Sequence, residues 1–526
     1  MSAIIYEVLD MATGILDAEG RLASSGAGLP LFVGGLDKAT QFIASKCARL
    51  GIPIEEGDIF VTNDPYNGGV THLNDVIFVM PVFADGGIIA WTADIAHWND
   101  VGGMVPGSIS TTATEIFQEG LRLPAVKLVS RGELIRSVFD IMTVNSRMPD
   151  FLEGDLWAGI AAVRLGERRI KEIAAKYGVA IVKTAIAAYL DYGEQLTLAG
   201  LASLPKGEFR HEEEQDDGRD WKCRIEIADD SFVVDVRGNA QFTGPFNVSR
   251  DAALCAAQLI LKAVTDPSPV CNDGNFRPLQ FLTESGSCFD PIEPAPQGNY
   301  YEFVLRLYDL LWHCLAKHMP DRLPSGHYGS VCAVILGGIH PDTGRPYAMI
   351  EPELGGWGGD RENDGATAVF TAEHGETYNC PAEITEARNG FIVDRMELNP
   401  DPGGEGRFRG GKGIRMDYRV RAEECSLTCC FSRSRIPPWG LAGGIDGSPN
   451  YVQVIRADGT SERHSVSNGV RLGTNDVVRI VTGNGGGFGE PAKRPRERIL
   501  DDLKNGYITP ERAKAIYGVT AAQGPQ

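Results

Sequence analysis

Residues 62–108 hold two short apolar runs, 76–83 and 88–91, separated by a turn at Gly86-Gly87. Polar, glycine-rich text flanks them, TNDPYNGGVTHLN before and ADIAHWNDVGGMVPGS after. Runs this short, rich in β-branched residues and bounded by turn formers, read as buried β-strands. The flanks carry Asp64, His72, Asp75, Asp94, His97 and Asp100. Imidazole and carboxylate together are the ligand set that suits zinc, manganese or iron. His72 and Asp75 are three residues apart, as are Asp94 and His97, and a tight turn or strand end can aim such a pair at one point. If the two strands are neighbours in a sheet, the two pairs meet. Only nine histidines occur in the chain, and two fall here beside carboxylates. Each aspartate taken alone is equally well a turn former.

The chain has 526 residues, which predicts two to four domains and a large core. Its formal net charge of −20 argues against nucleic acid and anionic membrane surfaces, both of which need a basic footprint. No apolar stretch reaches the roughly 18 residues of a membrane span, and MSAIIYEVLDMATG lacks a basic signal-peptide start. A cytoplasmic protein is expected. The 11 cysteines are odd in number and form no Cys-x-x-Cys pair, which predicts reduced thiols.

The opening residues predict a strand over 7–17 that turns at AEGR and runs back through Leu22 and Ala23, without a clear first helix. Apolar spacing predicts an amphipathic helix over 35–50. TEIFQEGLRLPAVKL suggests a turn at Glu119-Gly120 and a further strand. Residues 130–195 carry helical apolar spacing, with Leu156, Ile160 and Val163 on one stripe. From 208 to 244 the pattern alternates, predicting antiparallel sheet with turns at Asp217-Gly218 and Asp229-Asp230. A helix capped by Ser249 follows, then a second helix in GNYYEFVLRLYDLLWHCLAKHMP. His313 and His318 there are five apart and do not share a face. GGWGGDRENDG lacks the acidic spacing of a calcium loop and reads as a loop closing over a substrate or partner. Residues 400–490 look all-β, and two short helices end the chain, the second starting at Thr509-Pro510. The expected fold class is α+β and multi-domain: mixed and antiparallel sheets, a helical segment in the first half and a β-rich C-terminal half. Expected boundaries are 1–204, 205–395 and 396–526. No phosphate loop and no G-x-S-x-G elbow is present, and GNGGGFG does not follow the order of a dinucleotide fingerprint.

Taken jointly, NDPYNGGVTHLNDV, AHWNDVGGMVPGS, EGLRLPAVKL, NDGNFRP, GGWGGDRENDG, NCPAEITE, GEGRFRGGKG and GNGGGFGEP resemble the hydantoinase B/5-oxoprolinase family, which also contains acetone and acetophenone carboxylase subunits. The motifs occur in the family's order over nearly the whole chain. The resemblance implies a hetero-oligomer with a hydantoinase A-like partner of actin-like ATPase fold, which binds ATP and phosphorylates the substrate. This chain would supply a divalent metal (zinc, manganese or iron). The family's metal positions are matched by His72, Asp75 and His97, with Asp10 in DMATGILD as a further acidic position and Asp94 as a weaker one.

Two enzyme classes follow as expectations. In the first, the complex opens a cyclic amide such as hydantoin, 5-oxoproline or a lactam. Water activated at the metal attacks, with Asp75 or Asp100 as general base. In the second, the complex carboxylates a ketone with the same ligands acting as a Lewis-acid site. A purely structural zinc site fits less well, because closed structural sites usually use cysteine.

Overall fold

In the computed structural model the two apolar runs become neighbouring strands near the middle of a seven-stranded sheet. The structure describes residues 1–68, 71–375 and 377–519, apart from the side chain of Ala27. In chain order the first elements are α1 (Ala3–Tyr6), β1 (Met11–Asp17), β2 (Leu22–Gly28), α2 (Pro30–Leu50), β3 (Ile59–Thr62), β4 (Asp75–Ala84) and β5 (Gly87–His97). There follow β6 (Val126–Ser130), β7 (Glu133–Leu134), α3 (Arg136–Val144), α4 (Pro149–Tyr177) and α5 (Val179–Ala202). The next are β8 (Gly207–Glu214), β9 (Asp220–Ile227), β10 (Phe232–Asp235), α6 (Arg250–Thr265), β11 (Leu279–Leu282) and α7 (Tyr300–Ala316).

Among the described residues the large sheet runs β2-β1-β5-β4-β3-β6-β7, antiparallel throughout. Helices cover both faces of its centre. On one, Leu36, Ala39 and Ile43 of α2 pack against Leu16, Ile77, Trp91 and Ile95. On the other lies α4, whose buried Leu152, Leu156, Ile160 and Val163 form the stripe expected from their spacing. Its Gly159 and Gly166 let it sit close: a Cβ at either would stand 2.7 Å from Phe78 or Thr92. Because both faces are buried, β5 need not alternate in polarity, and it runs six residues beyond the predicted apolar run. α2 also starts earlier than its periodicity predicts. Pro30 opens it at a position where a missing N–H costs nothing, and the all-apolar first turn shows no polar face.

The chain divides into two compact units, and no single cut in sequence separates them. The first is Met1–Arg210, Lys222–Tyr308 and Ala372–Cys380; the second is His211–Trp221, Asp309–Thr371 and Pro381–Gln526. The first holds the large sheet and most of a mixed sheet ordered β11-β10-β9-β8, in which β10 and β11 run parallel. The second holds a four-stranded sheet ordered Pro346–Glu351, Ala333–Ile339, Cys425–Cys430, Val466–Leu472. It also holds a five-stranded sheet whose strands share a core with the first, including Val334, Leu427, Met416 and Ile480. The fold class is α+β.

The glycine-rich text of the second unit packs in its interior. Extended segments pair through backbone bonds, Gly356 N–H to Gly483 O at 3.0 Å, Gly411 N–H to Trp357 O at 2.8 Å and Gly485 N–H to Gly411 O at 3.0 Å. No side chain fits there: a Cβ on Gly411 would stand 1.8 Å from the Ala366 carbonyl oxygen, and one on Gly485 2.1 Å from that of Trp357. GGWGGDRENDG thus starts as a buried packing element, with only its Arg361-Glu362-Asn363 tip exposed, and not as a lid over a site. All 11 cysteines are free thiols. Among the described residues no single helix is long and apolar enough to cross a membrane.

Candidate metal centre

Three adjacent strands deliver three of the candidate residues to one end of the large sheet's central strands. Asp75 opens β4, His97 closes β5, and the two are directly paired across the ladder. Asp10 immediately precedes β1, and its carbonyl accepts from the His97 N–H at 3.1 Å. His72 sits one turn before β4, in a turn closed by Asp75 N–H to His72 O at 3.1 Å. The result is a buried cluster. His72 Nε2 lies 3.2 Å from His97 Nδ1 and 3.2 Å from Asp75 Oδ1, and His97 Nδ1 lies 3.0 Å from the same carboxylate oxygen. Asp10 Oδ2 stands slightly outside, 3.9 Å from His97 Nδ1.

The tautomer of His72 follows from its other nitrogen. Nδ1 is 2.8 Å from the carbonyl oxygen of Gly298, which only accepts, so Nδ1 carries the proton and Nε2 turns a lone pair to the cluster. That carbonyl is itself fixed. The Glu119 carboxylate accepts the backbone N–H groups of Gln297 at 3.1 Å and Gly298 at 2.7 Å. The second oxygen of Asp75 accepts from Tyr300 Oη at 3.1 Å and from the Thr71 hydroxyl. Orienting partners of this kind set ring tautomer and carboxylate direction at metal sites.

These atoms fit a cation. Metal–ligand bonds of about 2.0–2.2 Å put tetrahedral ligands about 3.3–3.5 Å apart and octahedral neighbours about 3.0 Å apart, and the observed edges of 3.0–3.2 Å lie within or close to that range. Without a cation, a single proton on His97 Nδ1 would have to serve both the His72 lone pair and the Asp75 oxygen. The charges respond accordingly. Burial opposes ionisation of both His72 and Asp75, but each outweighs it for the other. The His72 pKa is raised, and the imidazoles hold the Asp75 carboxyl well below its usual range. Burial lifts Asp10 to about 6 against the pull of His97. Among the described residues, Asp10 Oδ1 and His97 Nε2 are buried without a hydrogen-bond partner.

The remaining candidates go elsewhere. Asp94 is paired with Phe78, whose ring packs on Gly159 of α4, so its side chain faces that helix and not the cluster. Burial alone pushes it up to about 7. Asp100 organises its own loop, accepting from Gly102 N–H, Gly107 N–H, Arg147 N–H and Arg147 Nη1, each at 3.0 Å. With four donors on two oxygens, it is not placed as a base. Asp64 caps the turn at 64–67 and pairs with Arg122 at 3.1 Å. Sequence reasoning missed Gly298, Tyr300 and Thr71. It also missed His374, a third imidazole that feels the charges of Asp75 and His97 and that burial drives down to about 4. Glu119 was visible only as a carboxylate near the motif.

The comparisons with known proteins bear on this arrangement. The sequence model described as hydantoinase B/oxoprolinase matches residues 1–491. A provisionally named B-type subunit of a D-/L-hydantoinase from Pseudomonas sp. strain NS671 is 30% identical over 99% of this chain and 90% of its own length. The ATP-dependent caprolactamase structure from Pseudomonas jessenii superposes with a TM-score of 0.90 at 27% identity, over 99% of this chain and 92% of that one. A nucleotide-free acetone carboxylase structure gives the same TM-score, 0.90, at 19% identity, over 99% of this chain and 76% of that one. The last likeness is one of fold alone.

Proposed function

Because this chain belongs to the hydantoinase B/oxoprolinase family, we propose that it is the metal-bearing subunit of an ATP-dependent enzyme that opens a cyclic amide. Hydantoin, 5-oxoproline or a lactam would be the substrate, and a hydantoinase A-like ATPase of actin-like fold the partner that phosphorylates it. The observation that carries the reading is the convergence of His72 Nε2, His97 Nδ1 and Asp75 Oδ1 on one point, with His72 and Asp75 oriented from behind. A family relative bearing the name caprolactamase supports the cyclic amide as substrate class.

His72, His97 and Asp75 would hold the divalent metal, which when bound supplies Lewis acidity and lowers the pKa of water. The chain's own residues account for the rest. Gly298 O, fixed by Glu119, keeps the proton of His72 on Nδ1. Tyr300 and Thr71 hold Asp75 Oδ2 so that Oδ1 faces the imidazoles. Asp10 takes the proton-accepting role foreseen for Asp75 or Asp100, since its Oδ1 has no hydrogen-bond partner among the described residues while both oxygens of the other two are engaged. The burial of the cluster keeps bulk water from the reacting carbonyl.

The test is ATP turnover by this chain co-expressed with its candidate ATPase partner. The panel is hydantoin, 5-oxoproline and caprolactam, then acetone and acetophenone with and without bicarbonate. Turnover with a cyclic amide, independent of bicarbonate, is the expected result. Turnover only with a ketone plus bicarbonate would assign the chain to carboxylation instead. Among variants, H72A and H97A lose both metal and turnover, whereas D10N keeps metal and loses turnover. Metal retained in both histidine variants would remove them from the ligand set, and metal lost in D10N would move Asp10 into it.

A further inference from the structure

A second histidine–carboxylate cluster lies in the other unit, at residues that no motif marks. β8 alternates, so His211 and Glu213 share its inward face. α7 brings His313 against them. His211 Nε2 lies 3.0 Å from His313 Nδ1, and Glu213 Oε2 lies 2.9 Å from His313 Nδ1 and 3.5 Å from His211 Nε2. These edges of 2.9–3.5 Å enclose the 3.0–3.2 Å of the first cluster, and the longest reaches the spacing of about 3.3–3.5 Å expected for tetrahedral ligands on zinc. Protons alone serve this contact poorly. His313 Nδ1 has at most one proton to give and two acceptors within reach.

The three side chains are held from behind. The His313 ring stacks on the Trp439 indole at 4.2 Å and 4°. That indole N–H donates to Asp309 Oδ1 at 3.2 Å. Arg433 bonds Glu213 Oε1 at 2.9 Å and also binds Asp309. Glu213 Oε2 and the two ring nitrogens are thus aimed at one another, as partners behind metal ligands aim them. The side chains keep 11–14% of their surface exposed, so an ion can reach them from solvent.

We propose that His211, Glu213 and His313 form a second divalent-metal site. Two imidazoles and one carboxylate suit zinc, manganese or iron(II) and disfavour magnesium and calcium. The bound ion would clamp the tip of the β8–β9 hairpin to α7 within the second unit. It is separate from the first cluster in residues and in unit, so each can be emptied without the other.

The experiment is metal stoichiometry on the full chain, stripped with a chelator, dialysed against zinc and measured by mass spectrometry. Wild type is expected to carry two equivalents and the double variant H211Q/H313Q one, with E213Q showing weakened retention. The glutamines preserve hydrogen bonding, so a merely structural pair would leave the count unchanged. As a second readout, zinc should raise the melting temperature of H72A/H97A, and this rise should vanish when H211Q and H313Q are added. Equal zinc content in wild type and H211Q/H313Q, with no zinc-dependent melting shift in H72A/H97A, overturns the proposal.

Discussion

Asp75 and Asp94 are both buried aspartates on the same strand pair, yet their surroundings separate them. Asp75 meets two imidazoles, whereas Asp94 lies between Thr13 and Phe78 on the face covered by α4. Burial therefore disfavours the Asp94 carboxylate, pushing its pKa from 3.8 to about 7. The sign of the consequence is definite. A carboxyl whose pKa is raised on folding contributes stability that is complete below its unfolded pKa and is lost as pH rises through its folded one. At about 1.4 kcal/mol per pKa unit, the window from about pH 4 to about pH 7 is worth on the order of 4 kcal/mol. D94N should be more stable than wild type above about pH 7, with the difference shrinking towards about pH 4. Melting temperatures of both proteins across that range check this, and parallel curves would place Asp94 in a solvated setting. At this scale the sequence revealed the cluster but not its membership. His72, Asp75 and His97 were legible because strand ends and turns tie residues close in sequence. Side-chain parity along β5 excluded Asp94, and parity needs the exact register. Gly298 and Tyr300 were not legible at all, because their link to the cluster is purely tertiary.

At the scale of elements, the long periodic segments were read best. α4 buries the stripe its spacing predicts, and α6 starts where its cap does, with Ser249 Oγ accepting from Ala252 N–H at 3.1 Å. S249A should lower stability by about 1 kcal/mol, measurable as a shift in the urea midpoint with no change in metal content. Elements buried on both sides were read short. β5 continues through Thr92, Asp94 and His97, polar residues that look like a loop until the helices over both faces are known. The thiols behave as composition predicts, reduced and without disulfides.

For the molecule as a whole, the departure of most consequence is the glycine-packed interior of the second unit. Hydrophobic patterning finds cores made of side chains; this region is made of backbone, so its sequence resembles loop. Replacing Gly485 forces a carbon into the Trp357 carbonyl, and overpacking of a site that cannot yield costs about 3 kcal/mol or more. G485A should therefore lower the melting temperature of the purified chain sharply, whereas alanine at Gly87, which starts β5 with open space around it and no positive φ, should cost far less. Similar losses in both would mean that this interior is not close-packed. The first unit carries a different kind of constraint. The strands that bear Asp10, Asp75 and His97 are complete early in the chain, but the carbonyl that fixes the His72 tautomer belongs to a residue 226 positions later. A chain that has not yet been extended to Gly298 and Tyr300 lacks the acceptor for His72 Nδ1 and the hydroxyl that holds Asp75, so the cluster cannot take its final arrangement before the start of α7 is made.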